Sequence, residues 1–587
     1  MHVRIRFILT PAIAAAGLGL LLSGCGRASS AVKTAKASNE ASRNEASLHT
    51  TAAREITQDG HVAYPKQDYI QSEAGKSGGT LRVSTQTDPS NLDPHGVSSA
   101  YIQWFGRLVF DNLVYLDTNG VAQPWLAKSW DISADQKTYT FHLRNDVTFS
   151  DGSRFDAEAV RLNLEHMRDP ATRSQLAGRY IAPYVDGRVV DGFTFEAHLK
   201  QPYTPFLNVL AQSWLAMISP KQIRENPHSI LTNPIGSGPY LIESYLRQQG
   251  IRFVRRNDYH WSPGVIHHEG PAYIERIEVD VVPEPLIRYT SLASAQYDFT
   301  FEAPAPNAAA IRSDSELVLD RRIRPGIPSR AIAFNLDREP FTDVRVRRAL
   351  ALAIDREGLA QIVGFGEYQP KADFLAATTR FYDPSFRNVL RYNPAEANRL
   401  LDEAGWSKRE ADGIRTKNGQ RLGSEFLTTE VYTPSPLIVA IQSDFRKVGF
   451  DLHIVQMPLT QLTDRRNQGQ YQSVAAGVWH TNTPDALYVI HHSDEITTPA
   501  RVGQNTSHLR DAVFDDLVFR ARQTSDPVVL QDLYSKAQKR LTEVVPAVPI
   551  YENYSFVAYR KRLHGVLFDT SHNTPVFIAA WLSDSDK

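Results

Sequence analysis

Apolar and polar residues alternate along several stretches of the chain. Between residues 138 and 144, Tyr139, Phe141 and Leu143 alternate with polar side chains, and this period of two predicts a half-buried strand. The same period predicts further strands at 194–199, 252–256, 274–282 and 452–457. These stretches indicate sheets with one covered face.

Other segments carry the period of a helix. Apolar residues fall on one side of a helix that begins after Asp343, namely Val346, Ala349, Leu350, Ala353 and Ile354. Asp156 is the expected N-cap of a helix that starts at Ala157, and Asn393 caps another. Helices are also predicted at 437–448 and from residue 527 onward.

Composition narrows the class of protein. The chain has 587 residues, of which 42% are hydrophobic and 22% charged, which fits a globular protein of two or three lobes. The formal net charge of −1 gives no reason to expect a nucleic-acid partner.

The N-terminal segment has the pattern of a secretory signal. Arg4 and Arg6 precede an apolar run at 7–22, which ends in Leu-Ser-Gly-Cys at Cys25, the single cysteine of the chain. This ending resembles the lipobox of bacterial lipoproteins, so residues 1–24 are expected to be a signal peptide and Cys25 a lipidated residue. The alternative is one membrane-spanning helix. Residues 25–76 have the polar composition of a flexible tether.

Two longer motifs carry a resemblance to a known family. The first is Trp-Asp-x-Ser-x-Asp-x-x-Thr-Tyr-Thr-Phe-x-Leu-Arg at 130–144, followed by Phe-Ser-Asp-Gly-x-x-Phe-Asp-Ala-Glu-Ala-Val at 149–160. The second is Phe-Asn-x-x-x-x-Pro-Phe-x-Asp-x-Arg-Val-Arg at 334–347. Over residues 77–585 the chain resembles the peptide, opine and nickel class of extracytoplasmic solute-binding proteins, the receptors of ABC importers.

The resemblance implies a two-lobed, periplasmic-binding-protein-like α/β fold with a hinge and a discontinuous larger lobe. Lobe I would comprise residues 77–325, with a subdomain at about 112–232, lobe II residues 326–547, and residues 548–587 would return to lobe I. The resemblance also implies a monomer without cofactor or enzymatic activity, held outside the cytoplasm by its lipid.

The implied function is capture of a small polar or amphiphilic solute between the lobes and its delivery to an ABC permease and ATPase. The solute is peptide-like or a non-peptide analogue, such as an opine-like conjugate, a glycoside or a metal chelate. Two alternatives stay open, an extracytoplasmic hydrolase and a ligand-responsive sensor on the same fold, because a Ser–His–Asp arrangement needs no sequence adjacency.

The tract from Trp479 to Asp485 is the main candidate for ligand contact. In peptide-binding relatives this tract is Trp-x-x-Asp-x-x-Asp-Pro, and its first aspartate pairs with the ammonium group of the peptide. Here Asn482 replaces that aspartate and Ala486 the proline. Trp479, His480, Asn482 and Asp485 are therefore the expected ligand contacts, unless Asn482 only satisfies its own turn.

Three residues elsewhere complete the candidate site. Tyr101 and Trp104, with Gln103 between them, either line a pocket or pack in the core. Asn335 belongs to the second motif. No dedicated metal site is expected, although His480, His491 and His492 lie close in sequence, as do His260, His267 and His268, because adjacent histidines on a strand point to opposite faces.

Overall fold

The structure is a computed structural model that describes residues 75–117, 120–266, 268–429, 435–476, 479–498 and 501–584. Cys25 and the predicted signal peptide lie outside these residues, as does all but the last part of the predicted tether. Within the described ranges, no helix combines the length and the apolar character that a membrane crossing requires.

The first part of the chain contains β1 (Thr80–Thr85), α1 (Tyr101–Val109), β2 (Val114–Leu116), β3 (Ala122–Pro124), β4 (Ala127–Ile132), β5 (Thr138–Leu143), α2 (Ala157–Arg168), α3 (Ala177–Tyr180), β6 (Tyr184–Asp191), β7 (Thr194–Leu199), α4 (Phe206–Leu210), α5 (Pro220–Glu225), β8 (Tyr240–Leu246), β9 (Gly250–Arg255), β10 (Arg276–Val281), α6 (Pro285–Ala293), β11 (Phe299–Thr300), α7 (Ala308–Ser313) and β12 (Leu317–Ile323).

The middle part contains β13 (Gly326–Ile327), β14 (Ser329–Phe334), α8 (Val344–Ala353), α9 (Arg356–Gly364), α10 (Pro394–Glu403), β15 (Lys408–Arg409), β16 (Arg415–Lys417), β17 (Gln420–Arg421), β18 (Gly423–Thr428), α11 (Ser435–Lys447), β19 (Asp451–Gln456), α12 (Leu459–Asn467), β20 (Ser473–Ala475), β21 (Trp479–His480), α13 (Ala486–His491), α14 (Ala512–Ala521), α15 (Pro527–Val544) and β22 (Ala547–Tyr551). The last part contains β23 (Tyr554–Arg560), β24 (Leu563–His564), β25 (Leu567–Asp569), β26 (Thr574–Val576) and β27 (Trp581–Leu582).

The larger lobe is organised around a seven-stranded sheet in the order β12-β23-β11-β1-β10-β9-β8. Strand β1 runs parallel to β10 and β11, whereas β23, from the end of the chain, lies antiparallel between β11 and β12. One hydrophobic core joins residues between Leu81 and Phe301 to residues between Val557 and Ala580. The predicted α/β class with two lobes is confirmed.

A second, four-stranded sheet in the order β4-β5-β7-β6 lies within the same part of the chain. Tyr139, Phe141 and Leu143 of β5 are buried and the intervening residues half-buried, as their alternation predicts. The Asp156 side chain accepts a hydrogen bond from the Ala159 amide and caps α2. Both the alternation of β5 and the Asp156 cap are therefore as predicted.

The smaller lobe has its own sheet, β19-β18-β20-β14-β22, and its own core between Ile327 and Ile550. Helix α8 begins after Asp343, whose side chain accepts from the Arg345 amide, as predicted. Helix α11 begins at Ser435, two residues before the predicted start, because its apolar stripe says nothing about the polar residues of the first turn.

The backbone of the Gly236-Ser237-Gly238 segment packs directly against the backbone at Val109. A Cβ atom on Gly236 would lie 2.0 Å from the Val109 carbonyl oxygen, and one on Gly238 would lie 2.5 Å from the Val109 carbonyl carbon. Neither glycine has a positive φ, so the residues are needed for close approach to the end of α1 and not for an unusual backbone conformation.

Candidate ligand-binding cleft

A cavity of about 1440 Å³ lies between the two lobes. The larger lobe contributes its loop after β1, the start of α3 and Trp214, while the smaller lobe contributes α12, the segment around Gln504 and the β14 and β22 strands. Charged side chains in the wall are Asp88, Arg179, Asp464, Arg466 and Glu552. A cavity of this size with mixed polar and apolar walls fits a small organic solute.

Glu552 belongs to a buried charge cluster at the wall. Lys371 Nζ lies 2.8 Å from an Asp373 oxygen and 3.0 Å from Glu552 Oε1. Two carboxylates thus share one ammonium, and burial raises the pKa of Glu552 although the Lys371 charge opposes the shift. Glu552 Oε2 has no hydrogen-bond partner among the described residues.

The lobes meet at Asp485. Its carboxylate accepts from Arg522 Nε at 2.5 Å and Nη2 at 2.9 Å, both in the smaller lobe, and from the Tyr203 hydroxyl of the larger lobe at 3.1 Å. The Thr204 amide also donates to the Arg522 carbonyl oxygen at 2.9 Å. Asp485 is therefore neutralised by a bidentate arginine and acts as part of the junction between the lobes.

Further contacts between the lobes lie at other edges of the cavity. Arg179 Nη2 donates to the Val502 carbonyl oxygen at 2.6 Å. Near the chain crossings, Arg312 of the larger lobe pairs with Glu367 of the smaller lobe. The lobes thus touch at several places besides Asp485.

The tract that sequence reasoning selected lies beside the first crossing. Its backbone at Trp479 and His480 pairs with Ile327 and Gly326, while the Thr481 hydroxyl accepts from Gln212 Nε2 of the larger lobe at 3.3 Å. Asn482 is 6% exposed. Neither amide atom of Asn482 has a hydrogen-bond partner within the part of the chain that the structure describes, so this amide does not satisfy its own turn.

Three more polar side chains of the larger lobe also have buried atoms without a hydrogen-bond partner in the described ranges. Both amide atoms of Gln103, Gln212 Oε1 and Trp214 Nε1 are buried without a partner among the described residues. The Ser213 hydroxyl donates to the Gln103 carbonyl oxygen at 3.2 Å, and Gln212 reaches Thr481 across the junction. Sequence reasoning noted Gln103 but missed Gln212 and Trp214, since their isolated positions in a short loop form no motif.

The other predicted contacts occupy well-packed positions. Trp104 stacks on Phe301 with ring centroids 4.2 Å apart, and the Tyr101 hydroxyl accepts from the Thr87 amide at 2.9 Å. Asn335 Nδ2 donates to the Tyr471 carbonyl oxygen at 2.9 Å. None of these three residues lines the cavity, and neither do Asn482 and Asp485; ligand contact by all five stays a prediction.

The histidines that lie close in sequence are separated by their surroundings. The ring of His492 stacks on Tyr488, and its Nδ1 accepts from the Asp494 amide at 3.0 Å, while His491 faces Phe374 and Phe514. His268 contacts the Pro271 carbonyl oxygen. Among the described residues, none of these histidines belongs to a cluster of three or more potential metal ligands.

Comparison with known proteins gives one family and several relatives. The family described as "Bacterial extracellular solute-binding proteins, family 5 Middle" matches residues 121–495. The glutathione-binding protein GsiB of Escherichia coli is 26% identical over 87% of this chain and 96% of its own length. The nickel-binding periplasmic protein of Escherichia coli is 29% identical over 78% of this chain and 86% of its length.

Among solved structures, the periplasmic binding protein DppA from Helicobacter pylori, in complex with the peptide STSA, has the same fold. Its TM-score is 0.72 at 24% identity, and the match covers 87% of this chain and 99% of that protein.

Proposed function

The chain belongs to the bacterial extracellular solute-binding proteins of family 5, and on this premise we propose that it captures a small polar or amphiphilic solute between its lobes for an ABC permease. Members of the family are binding proteins and not enzymes. The proposal rests chiefly on the buried amide atoms of Gln103 and Asn482 and on Gln212 Oε1, none of which has a hydrogen-bond partner among the described residues. Gln212 itself reaches the Asn482 tract across the junction between the lobes, through Thr481. Buried polar groups without partners are rare in folded proteins, and binding sites are one place where they occur.

Capture follows from the position of these groups on both lobes. A ligand that contacts the larger lobe through Gln103 and the smaller through Asn482 makes its full set of hydrogen bonds only when the lobes are together. Its binding then favours the closed state by the difference in affinity between closed and open forms. A transporter can distinguish the loaded from the empty receptor by binding the closed form in preference to the open form.

The ligand that we propose lacks a free α-amino group. Asn482 stands where peptide-binding relatives have a carboxylate, and a neutral amide loses the charge-assisted contact to an ammonium, which is roughly twice as strong as a neutral one. Asp485 is occupied by Arg522. Opine-like conjugates, glycosides, blocked peptides or metal chelates are the classes that remain.

Calorimetry with matched ligands tests this selectivity. We expect N-acetylated peptides to bind the wild-type protein more tightly than the same peptides with free amines. Asn482→Asp should reverse the order and raise the affinity for free amines at least about tenfold, because it restores the charge-assisted contact. Asn226→Asp, an exposed site on the larger lobe, serves as the control of equal charge.

Tight binding of free peptides by the wild-type protein would contradict the selectivity. Glu552→Gln would then show whether the buried carboxylate at the cavity wall holds the ammonium. If neither class of compound bound and no other solute copurified with the protein, the receptor function itself would be refuted.

We further propose that lipid on Cys25 holds the protein at a bacterial membrane, with residues 25–76 as the tether. The lipobox-like ending of the apolar N-terminal run supports this, and two or more acyl chains are needed for stable anchoring. We expect Cys25→Ser to move the protein from the membrane fraction to the soluble fraction. Retention of the variant in membranes after a high-salt wash would show that the apolar run itself is the anchor.

A further inference from the structure

Two histidines and an aspartate come together in the larger lobe, and none of the three lines the cavity. Asp93 and His95 lie in the loop after β1, and His166 lies in the last turn of α2. The two imidazoles face each other through their Nδ1 atoms at 2.9 Å. One potential metal-ligating atom from each of the three residues lies within 4.8 Å of the other two, and the described ranges contain no other such cluster of three.

The surrounding backbone holds these groups in the orientation of ligands. His95 Nε2 contacts the Ala216 carbonyl oxygen at 2.8 Å. Because a carbonyl only accepts, Nε2 carries the proton, and Nδ1 of this ring presents a lone pair. Asp93 Oδ1 accepts from the His95 amide at 2.8 Å, which fixes the carboxylate beside the ring. A carbonyl behind a histidine is the usual outer support of a metal ligand.

The distance between the two Nδ1 atoms is close to the distance between two nitrogens that bind the same metal ion. Two Zn–N bonds of about 2.0–2.1 Å at a tetrahedral angle place the nitrogens about 3.3 Å apart. The half-buried ring of His166 therefore needs to move by only a few tenths of an ångström from its present distance. Two imidazole nitrogens and a carboxylate oxygen are a donor set that suits zinc and similar divalent metals.

We propose that Asp93, His95 and His166 bind one divalent transition-metal ion of the zinc type. The ion links the loop after β1 to helix α2. This loop contributes Asp88 and Val97 to the cavity wall. It is a structural ion of the larger lobe and not the transported solute. Without metal, His166 Nδ1–H donates to the His95 lone pair, and the same residues stay together.

Zinc titration of the metal-free full chain tests the site. We expect one Zn²⁺ per chain by calorimetry and elemental analysis, a rise in the melting temperature on adding Zn²⁺, and the visible absorption of tetrahedral Co²⁺ when cobalt is used. His166→Ala should weaken zinc binding at least about a hundredfold, beyond the loss typical of supporting residues, and should abolish the other two signals.

A matched control separates this site from surface binding. His198 lies 2.6 Å from Asp186 and 3.6 Å from Glu196 on an exposed face, so His198→Ala removes an adventitious histidine and carboxylate pair. The proposal is overturned if His166→Ala binds zinc like the wild type, or if His198→Ala loses the stoichiometric ion instead. Asp93→Asn, which keeps the shape of the loop, should also weaken binding, and an unaffected zinc affinity in this variant would exclude the carboxylate as a ligand.

Discussion

At the scale of single residues, Asp111 is a carboxylate enclosed in the core of the larger lobe. It accepts hydrogen bonds from the Ser237 hydroxyl at 2.8 Å, Trp261 Nε1 at 2.9 Å and the Tyr259 hydroxyl at 3.2 Å. The close approach of Gly236 and Gly238 to α1 is what brings Ser237 within reach. Burial raises the pKa of Asp111 to about 6, although these hydrogen bonds lower it.

This residue gives the stability of the protein a pH dependence. The folded-state pKa of Asp111 lies above the ordinary 3.8, so the folded chain holds this proton more tightly than the unfolded chain does. The contribution of the protonated carboxyl to the free energy of unfolding is complete below about pH 4 and is lost as the pH rises through about 6. Two pKa units correspond to about 3 kcal/mol. The difference in free energy of unfolding between Asp111→Asn and the wild type should therefore shift in favour of the variant by about this amount from pH 4 to pH 7. Urea denaturation at each pH measures this difference.

The control is Asp532→Asn, an exposed aspartate on α15 that pairs with Lys536. Its stability difference from the wild type should not follow that pH course. A constant difference for Asp111→Asn across the same range would show that the carboxyl titrates alike in folded and unfolded chains.

At the scale of elements, local signals in the sequence predict the helices well. Asp156, Asp343 and Asn393 all cap the helices for which they were selected, because a cap bonds to amides only two or three residues away. The position of β23 between β11 and β12, and the meeting of His95 with His166, join residues far apart in sequence. No pattern within one segment carries that information.

Helix α2 offers a test of what one cap contributes. Asp156→Ala removes the acceptor of the Ala159 amide and should lower the unfolding free energy by about 1 kcal/mol. Glu165→Ala on the same helix removes an exposed ion pair with Arg161 and should cost no more than about 0.5 kcal/mol. Equal losses in denaturation experiments would mean that the Asp156 cap adds nothing beyond surface charge.

At the scale of the whole molecule, Asp485 joins the two lobes through hydrogen bonds, and if the lobes close on a ligand as proposed, these bonds should favour the closed arrangement. Tyr203→Phe removes the hydroxyl that bonds to Asp485 across the junction, while Arg522 still neutralises the carboxylate. A hydrogen bond to a charged group is worth about 1.5–3 kcal/mol, so ligand affinity should fall about tenfold or more. Small-angle scattering should show a larger radius of gyration for the ligand-free variant than for the wild type, and a decrease on ligand binding in both.

Tyr139→Phe is the matched control, since its hydroxyl donates to the Tyr203 carbonyl oxygen within one lobe. If this variant changed the affinity and the radius as much as Tyr203→Phe, the junction would have no special part in closure. The two-lobed form was predictable from the motifs, but this junction was not. Tyr203 and Arg522 lie in different lobes and neither belongs to a motif.

The place of β23 in the larger lobe has a consequence for how the protein is made. A chain exported with its N-terminus first presents β1, β11 and β12 long before Tyr554–Arg560 arrives. The smaller lobe, whose core ends at Ile550, can mature in the interval, while the neighbouring edges of β11 and β12 await their partner. Unpaired strand edges invite aggregation. A truncated chain that lacks β23 should therefore expose the unpaired edges of β11 and β12, and it should aggregate more readily than the complete chain.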